Sequence, residues 1–134
     1  MRLLETLLVS TLLLGCSRDE EARSVLSDME KLQTEVSTAM QQSPSEAGVA
    51  AAEAAVAKAA PGLRARMTSL RGAKLSPATL SGIPTRCALN DAAASSGAAF
   101  VKQGLHARNA PLEERDRLNA RLDKLKTEMH DLCK

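Results

Sequence analysis

The sequence predicts an all-α fold, a small antiparallel bundle of about four helices, and three features carry that prediction. Alanine, leucine, glutamate, lysine and arginine dominate the 134 residues, while Trp and Tyr are absent and Phe100 is the one aromatic, so strand-favouring side chains are scarce. Apolar residues recur at spacings of three and four in successive stretches. Short clusters of Pro, Gly and Ser separate those stretches, which makes antiparallel packing of consecutive helices the economical architecture. The length is that of one domain. A core of Leu, Val, Met and Ala buries little area per residue, so a covalent staple is expected to matter. A formal charge of +2 does not call for nucleic acid, and the missing aromatics remove the usual platforms for stacking bases.

The first element is a leader. After Arg2 the apolar stretch Leu7 to Leu14 would span about 12 Å as a helix, against about 30 Å of bilayer hydrocarbon, so it suits a signal-peptide core and not a membrane span. Cys16 follows Leu13-Leu14-Gly15 directly. Taken as residues alone, Cys16 is compatible with an ordinary signal peptide or with a buried amphipathic N-terminus that carries a free thiol. The segment Leu13-Leu14-Gly15-Cys16 resembles the lipobox of bacterial lipoproteins. That resemblance implies a leader of residues 1–15, a lipidated anchor of residues 16–18 and a bundle domain of residues 19–134. It also implies that Cys16 is acylated on sulfur and holds the chain at a membrane. Ser17 stands where Asp would change the sorting in enteric bacteria, which implies the outer membrane, facing the periplasm.

Helix 1 is expected to start at the capping box Ser17-Arg18-Asp19-Glu20, its acids lying in the first turn. Its seam is Ala22, Val25, Met29, Leu32, Val36 and Ala39. Ser43-Pro44-Ser45-Glu46 reads as a second box, with Pro44 at the first helical position of helix 2. Helix 2 keeps register through Val49, Ala52, Val56, Ala59, Leu63, Met67 and Leu70, with a kink or restart expected at Pro61-Gly62. Lys74 to Pro84 reads as the longest loop. Thr85 is expected to cap helix 3, with Leu89, Ala93, Ser96 and Phe100 on one side and Gly104 as its stop. Pro111 begins helix 4, whose seam is Leu118, Leu122, Leu125, Met129 and Leu132.

With Cys16 assigned to the anchor, Cys87 and Cys133 remain, the arithmetic of one disulfide in an exported chain. A hairpin of helices 3 and 4 turning near residue 108 brings these two positions to the same height. The alternative use of these residues is a metal site of His130 and Cys133, one turn apart, with Cys87.

Six basic residues, Lys58, Arg64, Arg66, Arg71, Lys74 and Arg86, occur between Ala54 and Asn90 without an acid, whereas helix 1 is rich in acids. Facing helices of opposite charge account for this pattern. The sharper reading makes Lys58, Arg64, Arg66, Arg71 and Lys74 a patch for an anionic partner or lipid headgroups.

Two further resemblances bear on function. Met29 in Ser27-Asp28-Met29-Glu30, and His130 after Lys124-Leu125-Lys126-Thr127-Glu128-Met129, are similar in position to the axial ligands of periplasmic b-type cytochromes built as four-helix bundles. That likeness implies haem b and electron transfer. On the helix-4 seam, however, Met129 and not His130 takes the inward position. In size, anchor and cystine the chain also resembles the small secretion pilotins, helical lipoproteins that escort an envelope partner. No metalloprotease, nucleophile-elbow or phosphate-loop motif occurs. The expected role is therefore a non-enzymatic binding or assembly factor at the cell envelope, with a haem-binding bundle as the alternative.

Overall fold

A computed structural model describes the backbone of residues 2–134 and the side chains of residues 18–134. Four helices form the bundle: α1 (Arg2–Gln42), α2 (Glu46–Leu70), α3 (Pro77–Ala107) and α4 (Leu112–Asp131). The expected leader of residues 1–15 and the expected anchor Cys16 lie outside the described side chains, and because α1 runs through Ser17, helix 1 does not begin at the box Ser17-Arg18-Asp19-Glu20.

Consecutive helices run in opposite directions. α1 packs on α2 and α3, and α4 packs on the same two, so α1 and α4 lie across a diagonal, as do α2 and α3. The chain makes a tight hairpin from α1 to α2 and another from α3 to α4. Between them, residues 71–76 cross the end of the bundle to the diagonal position. This crossover makes α1 and α3 parallel neighbours: Arg86 of α3 reaches Glu30 and Gln33 of α1, at 3.4 and 3.5 Å. At the hairpin end, Gly104 of α3 meets Pro44. α2 and α4 are likewise parallel, tied by Arg121 to Glu53 and Glu46 and by Arg117 to Glu46.

The two outer helices of the sequence pack as their periodicity predicts. Ala22, Val25, Met29, Leu32 and Val36 are buried on α1, with Met40 completing the seam in place of Ala39. On α4, Leu118, Leu122, Leu125, Met129 and Leu132 are all buried. These aliphatic side chains, at about 1.5–3 kcal/mol each when fully removed from water, form one continuous core.

The middle of the chain departs from expectation in several places. α2 begins at Glu46 with Ser45 as N-cap, so Pro44 is not its first residue. The turn is folded back instead, with the Ser45 N–H donating to the Ser43 carbonyl at 2.8 Å. α2 then passes through Pro61 without a restart. Pro61 lies on the exposed side, as does Ala57, whose carbonyl it leaves unpaired; water can satisfy that oxygen. Register is kept, with Ala60 rather than Ala59 fully inward.

α3 begins at Pro77, well ahead of the expected start at Thr85, so most of the anticipated loop is helix. Ser76 is the N-cap and Pro77 the first helical residue, where a missing N–H costs nothing. Pro84 sits inside α3 on its exposed side, and the Thr85 hydroxyl donates to the Ser81 carbonyl instead of capping. The inward face of α3 is rotated by one position from the expected one. Asn90, Ala94, Gly97, Ala98, Val101 and Leu105 are buried, whereas Leu89 is 45% and Phe100 42% exposed. Small residues let α1 come close on this side, and a large side chain would hold it off.

Gly104 is not the stop of α3 but a contact point, where an added Cβ would lie 3.0 Å from the Pro44 carbonyl oxygen. The helix ends at Ala107 with Arg108 as C-cap, and the next residue, Asn109, has a left-handed φ of 51°. Ala110 N–H donates to the Leu105 carbonyl and Asn109 N–H to that of His106, the two bonds of a Schellman motif, and buried Ala110 and Leu105 supply its apolar contact.

Candidate functional site

The crossover end of the bundle gathers most of the chemistry. It is built from the α1 turn around Asp19, the end of α2, the crossover, the start of α3 and the end of α4. Ser76 organises it. Its hydroxyl accepts the Thr79 N–H at 3.3 Å, as an N-cap does, while its own N–H donates to Asp19 Oδ1 of α1 at 3.0 Å. In a capping box the residue at N3 would take that N–H from within the same helix. Here N3 is Thr79, and a carboxylate from another helix takes the place, so capping α3 also fastens α3 to α1.

Gly72, at φ 79°, turns the chain out of α2. Beyond it Leu75 folds inward with Met67, Leu70, Leu80 and Ile83 to line a half-open apolar cavity of about 270 Å³, reaching Cys133. Leu80 remains 51% exposed at this hollow. Arg71 forms part of the wall.

The disulfide joins Cys87 of α3 to Cys133 after α4, with Cα atoms 6.1 Å apart. Each sulfur is bonded to the other, so the alternative of a metal held by Cys87, Cys133 and His130 is set aside. Among the described residues no group of three or more His, Cys, Asp or Glu side chains is arranged to hold a metal ion. One turn beyond Cys87, the fully buried Asn90 donates from Nδ2 to the Met129 carbonyl at 3.0 Å, a polar clamp between α3 and α4 beside the covalent one. Sequence reasoning missed Asn90 because it assigned the wrong face of α3 to the core.

The five residues of the expected basic patch separate into two groups. Arg66 donates to Asp28 Oδ2 at 2.6 Å and to the Ser24 hydroxyl at 3.0 Å, so it is an interhelical tie and not part of a free patch. Lys58, Arg64, Arg71 and Lys74 are exposed and make no ion pair among the described residues. Arg71 and Lys74 lie on the crossover itself.

Met29 and His130 are not brought together. Met29 is enclosed in the core, whereas His130 is 59% exposed with Nδ1 3.0 Å from Asp91 Oδ2. Met129 occupies the inward position on that turn of α4. An axial pair needs both side chains on one interior space, so these residues do not fit a haem.

Two carboxylates make the bundle sensitive to acid. The hydrogen bond from the Ser76 backbone holds the Asp19 carboxyl below its usual value, and the hydrogen bond from Arg66 does the same for Asp28. A carboxyl with a folded pKa below the unfolded one contributes stability that is present above the unfolded value, about 3.9, and is lost as pH falls through the folded value. The difference in melting temperature between the parent and the D19N/D28N variant is therefore expected to be largest above about pH 5 and to shrink toward about pH 2. Thermal melts across that range check it, and a constant difference would reject the assignment.

Compared with protein-family models, with curated proteins and with solved structures, the chain has no match.

Proposed function

We propose that the chain is an exported lipoprotein, anchored through acyl chains on Cys16, whose helical bundle works by binding a protein partner at the cell envelope and not by catalysis. The observation that carries this reading is the placement of Cys16 directly after Leu13-Leu14-Gly15 and a short apolar run. Two or three acyl chains, at about 0.8 kcal/mol per buried methylene, would hold the protein stably on a bilayer. The Cys87–Cys133 bond supports export, because such bonds persist in oxidising compartments and are rare in the cytosol.

The hydrogen bond of Asp19 to Ser76 supports a bundle held close to its anchor. Asp19 is three residues from Cys16, which is at most about 11 Å of chain. No long tether intervenes. The outer membrane, facing the periplasm, is the location that Ser17 favours. For the partner, the outward stripe Leu89, Ala93, Ser96 and Phe100 of α3 offers an apolar helix face that the bundle itself leaves uncovered.

Mass spectrometry of the N-terminal peptide of the mature protein tests the anchor. A peptide beginning at Cys16 with the added mass of acyl chains is expected. An unmodified Cys16 in the native cell would overturn the reading, and so would an unchanged set of co-purified envelope proteins when Cys16→Ser releases the chain.

A further inference from the structure

We infer that the cavity at the crossover end takes one alkyl chain of an anionic phospholipid, with Arg71 and Lys74 holding its phosphate. This rests on the anchored reading only for the nearness of a bilayer; the cavity and its cations are features of the bundle. The walls are apolar, from Met67, Leu70, Leu75, Leu80 and Ile83, and the hollow is open on one side. A leucine alone on a surface means little, but a half-exposed Leu80 at the edge of an apolar hollow leaves a contiguous surface that water covers poorly. About 270 Å³ admits a segment of one extended hydrocarbon chain and excludes a helix, whose diameter is about 10–12 Å. The occupant is therefore thin and apolar.

The rim specifies its head. Arg71 lines the cavity and Lys74 follows it on the same crossover, and neither makes an ion pair among the described residues. A guanidinium matches two phosphate oxygens with two parallel N–H donors, and an ammonium beside it adds a point charge. Asp19, the acid bonded to this crossover, is turned to the Ser76 N–H. Asp19 also fixes where the mouth sits. By tying the crossover to α1 within three residues of Cys16, it brings Arg71, Lys74 and the cavity to the end of the bundle from which the anchor leaves.

The test uses the full chain carrying Cys16→Ser, titrated with fluorescent lysophosphatidylglycerol below its micellar concentration, with fluorescent lysophosphatidylcholine in parallel. Saturable binding of one anionic probe per chain is expected, with the zwitterionic probe weaker. Arg71→Glu and Leu80→Glu alter exposed side chains and are each expected to weaken binding by about tenfold or more, while Leu112→Glu, at the exposed start of α4 at the hairpin end of the bundle, leaves it unchanged. Equal binding by Leu80→Glu, or an equal loss in Leu112→Glu, overturns the site. If the acylated native protein excludes a probe that the Cys16→Ser chain binds, the cavity is filled by the protein's own anchor and the phospholipid is overturned as its occupant. An unmodified Cys16 together with probe binding would retire the anchor and leave the cavity standing; an acylated Cys16 without binding would do the reverse.

Discussion

Replacing Cys87 and Cys133 together by serine is expected to lower the unfolding free energy by about 4 kcal/mol, a large part of the roughly 5–15 kcal/mol that holds a domain of this kind. The bond closes a loop with a sequence separation of 46, and removing it returns that closure entropy to the unfolded chain. The native side of the balance changes less. With the bond gone, the end of α4 is still held by Leu132 in the core and by Asn90 on the Met129 carbonyl, and the far end of the hairpin keeps its Asn109 turn. Urea unfolding should therefore show a lower midpoint and a steeper dependence on denaturant, because the unbridged chain exposes more surface when it unfolds. Reductant added to the parent should reproduce both changes. Coincident curves with and without reductant would show that the bond contributes nothing to stability.

The second large effect is expected at Gly48, from the addition of a single methyl group. A Cβ at this position would fall far inside van der Waals contact with the Ser43 carbonyl oxygen of the α1 to α2 turn and 2.7 Å from the Ala39 carbonyl oxygen near the end of α1, both of them backbone atoms. No side-chain rotation relieves such a contact, so the turn must shift. We expect Gly48→Ala to cost about 3 kcal/mol, although alanine is the better helix former by about 1 kcal/mol. Gly62, in the same helix, is the control, because a Cβ there meets nothing within 4 Å. Gly62→Ala should stabilise by roughly 0.5–1 kcal/mol. Opposite signs for the two substitutions, read from thermal or urea midpoints, are the expected outcome. Equal signs would show that the turn does not press on Gly48.

The contrast between these two glycines explains much of what was and was not legible. Only Gly62, beside Pro61, reads in the sequence as an interruption of a helical pattern; Gly48 carries no such signal. Only the fold separates Gly62, which faces solvent, from Gly48 and Gly104, which receive the turn of residues 43–45 from two sides. Gly104 misled for the same reason: a glycine near the end of an amphipathic stretch suggests a stop, and its use here is a close approach to Pro44. The start of α3 was present in the chain as Ser76-Pro77, an N-cap followed by a first-turn proline, but the same dipeptide also marks loops. What decides between the two is Asp19, distant in sequence, which takes the Ser76 N–H.

The candidate site was legible in its covalent part and not in its shape. Cys87 and Cys133 could be paired because the hairpin between them is local. The cavity could not be foreseen, since its walls come from α2, the crossover, α3 and the end of α4. The basic patch was visible as composition, yet which of its members are spent on α1 depends on the facing of α2, which puts Arg66 on Asp28 and leaves Arg71 outward.

By itself, the sequence determined the helical class, the inward faces of α1 and α4, the cystine and the direction in which each helix follows the last. Those properties depend on local spacing: leucine, valine and methionine recurring every three or four residues leave one face that water disfavours, whatever stands opposite. Only the tertiary structure decided which helices are neighbours, how α3 is rotated and where a cavity remains. Alanine and glycine are tolerated on any side of a helix, so on α3 the hydrophobic signal is too even to choose a face. The choice falls instead to the close approach of α1 at Gly97 and of the α1 to α2 turn at Gly104, and to the crossover that sets α3 beside α1.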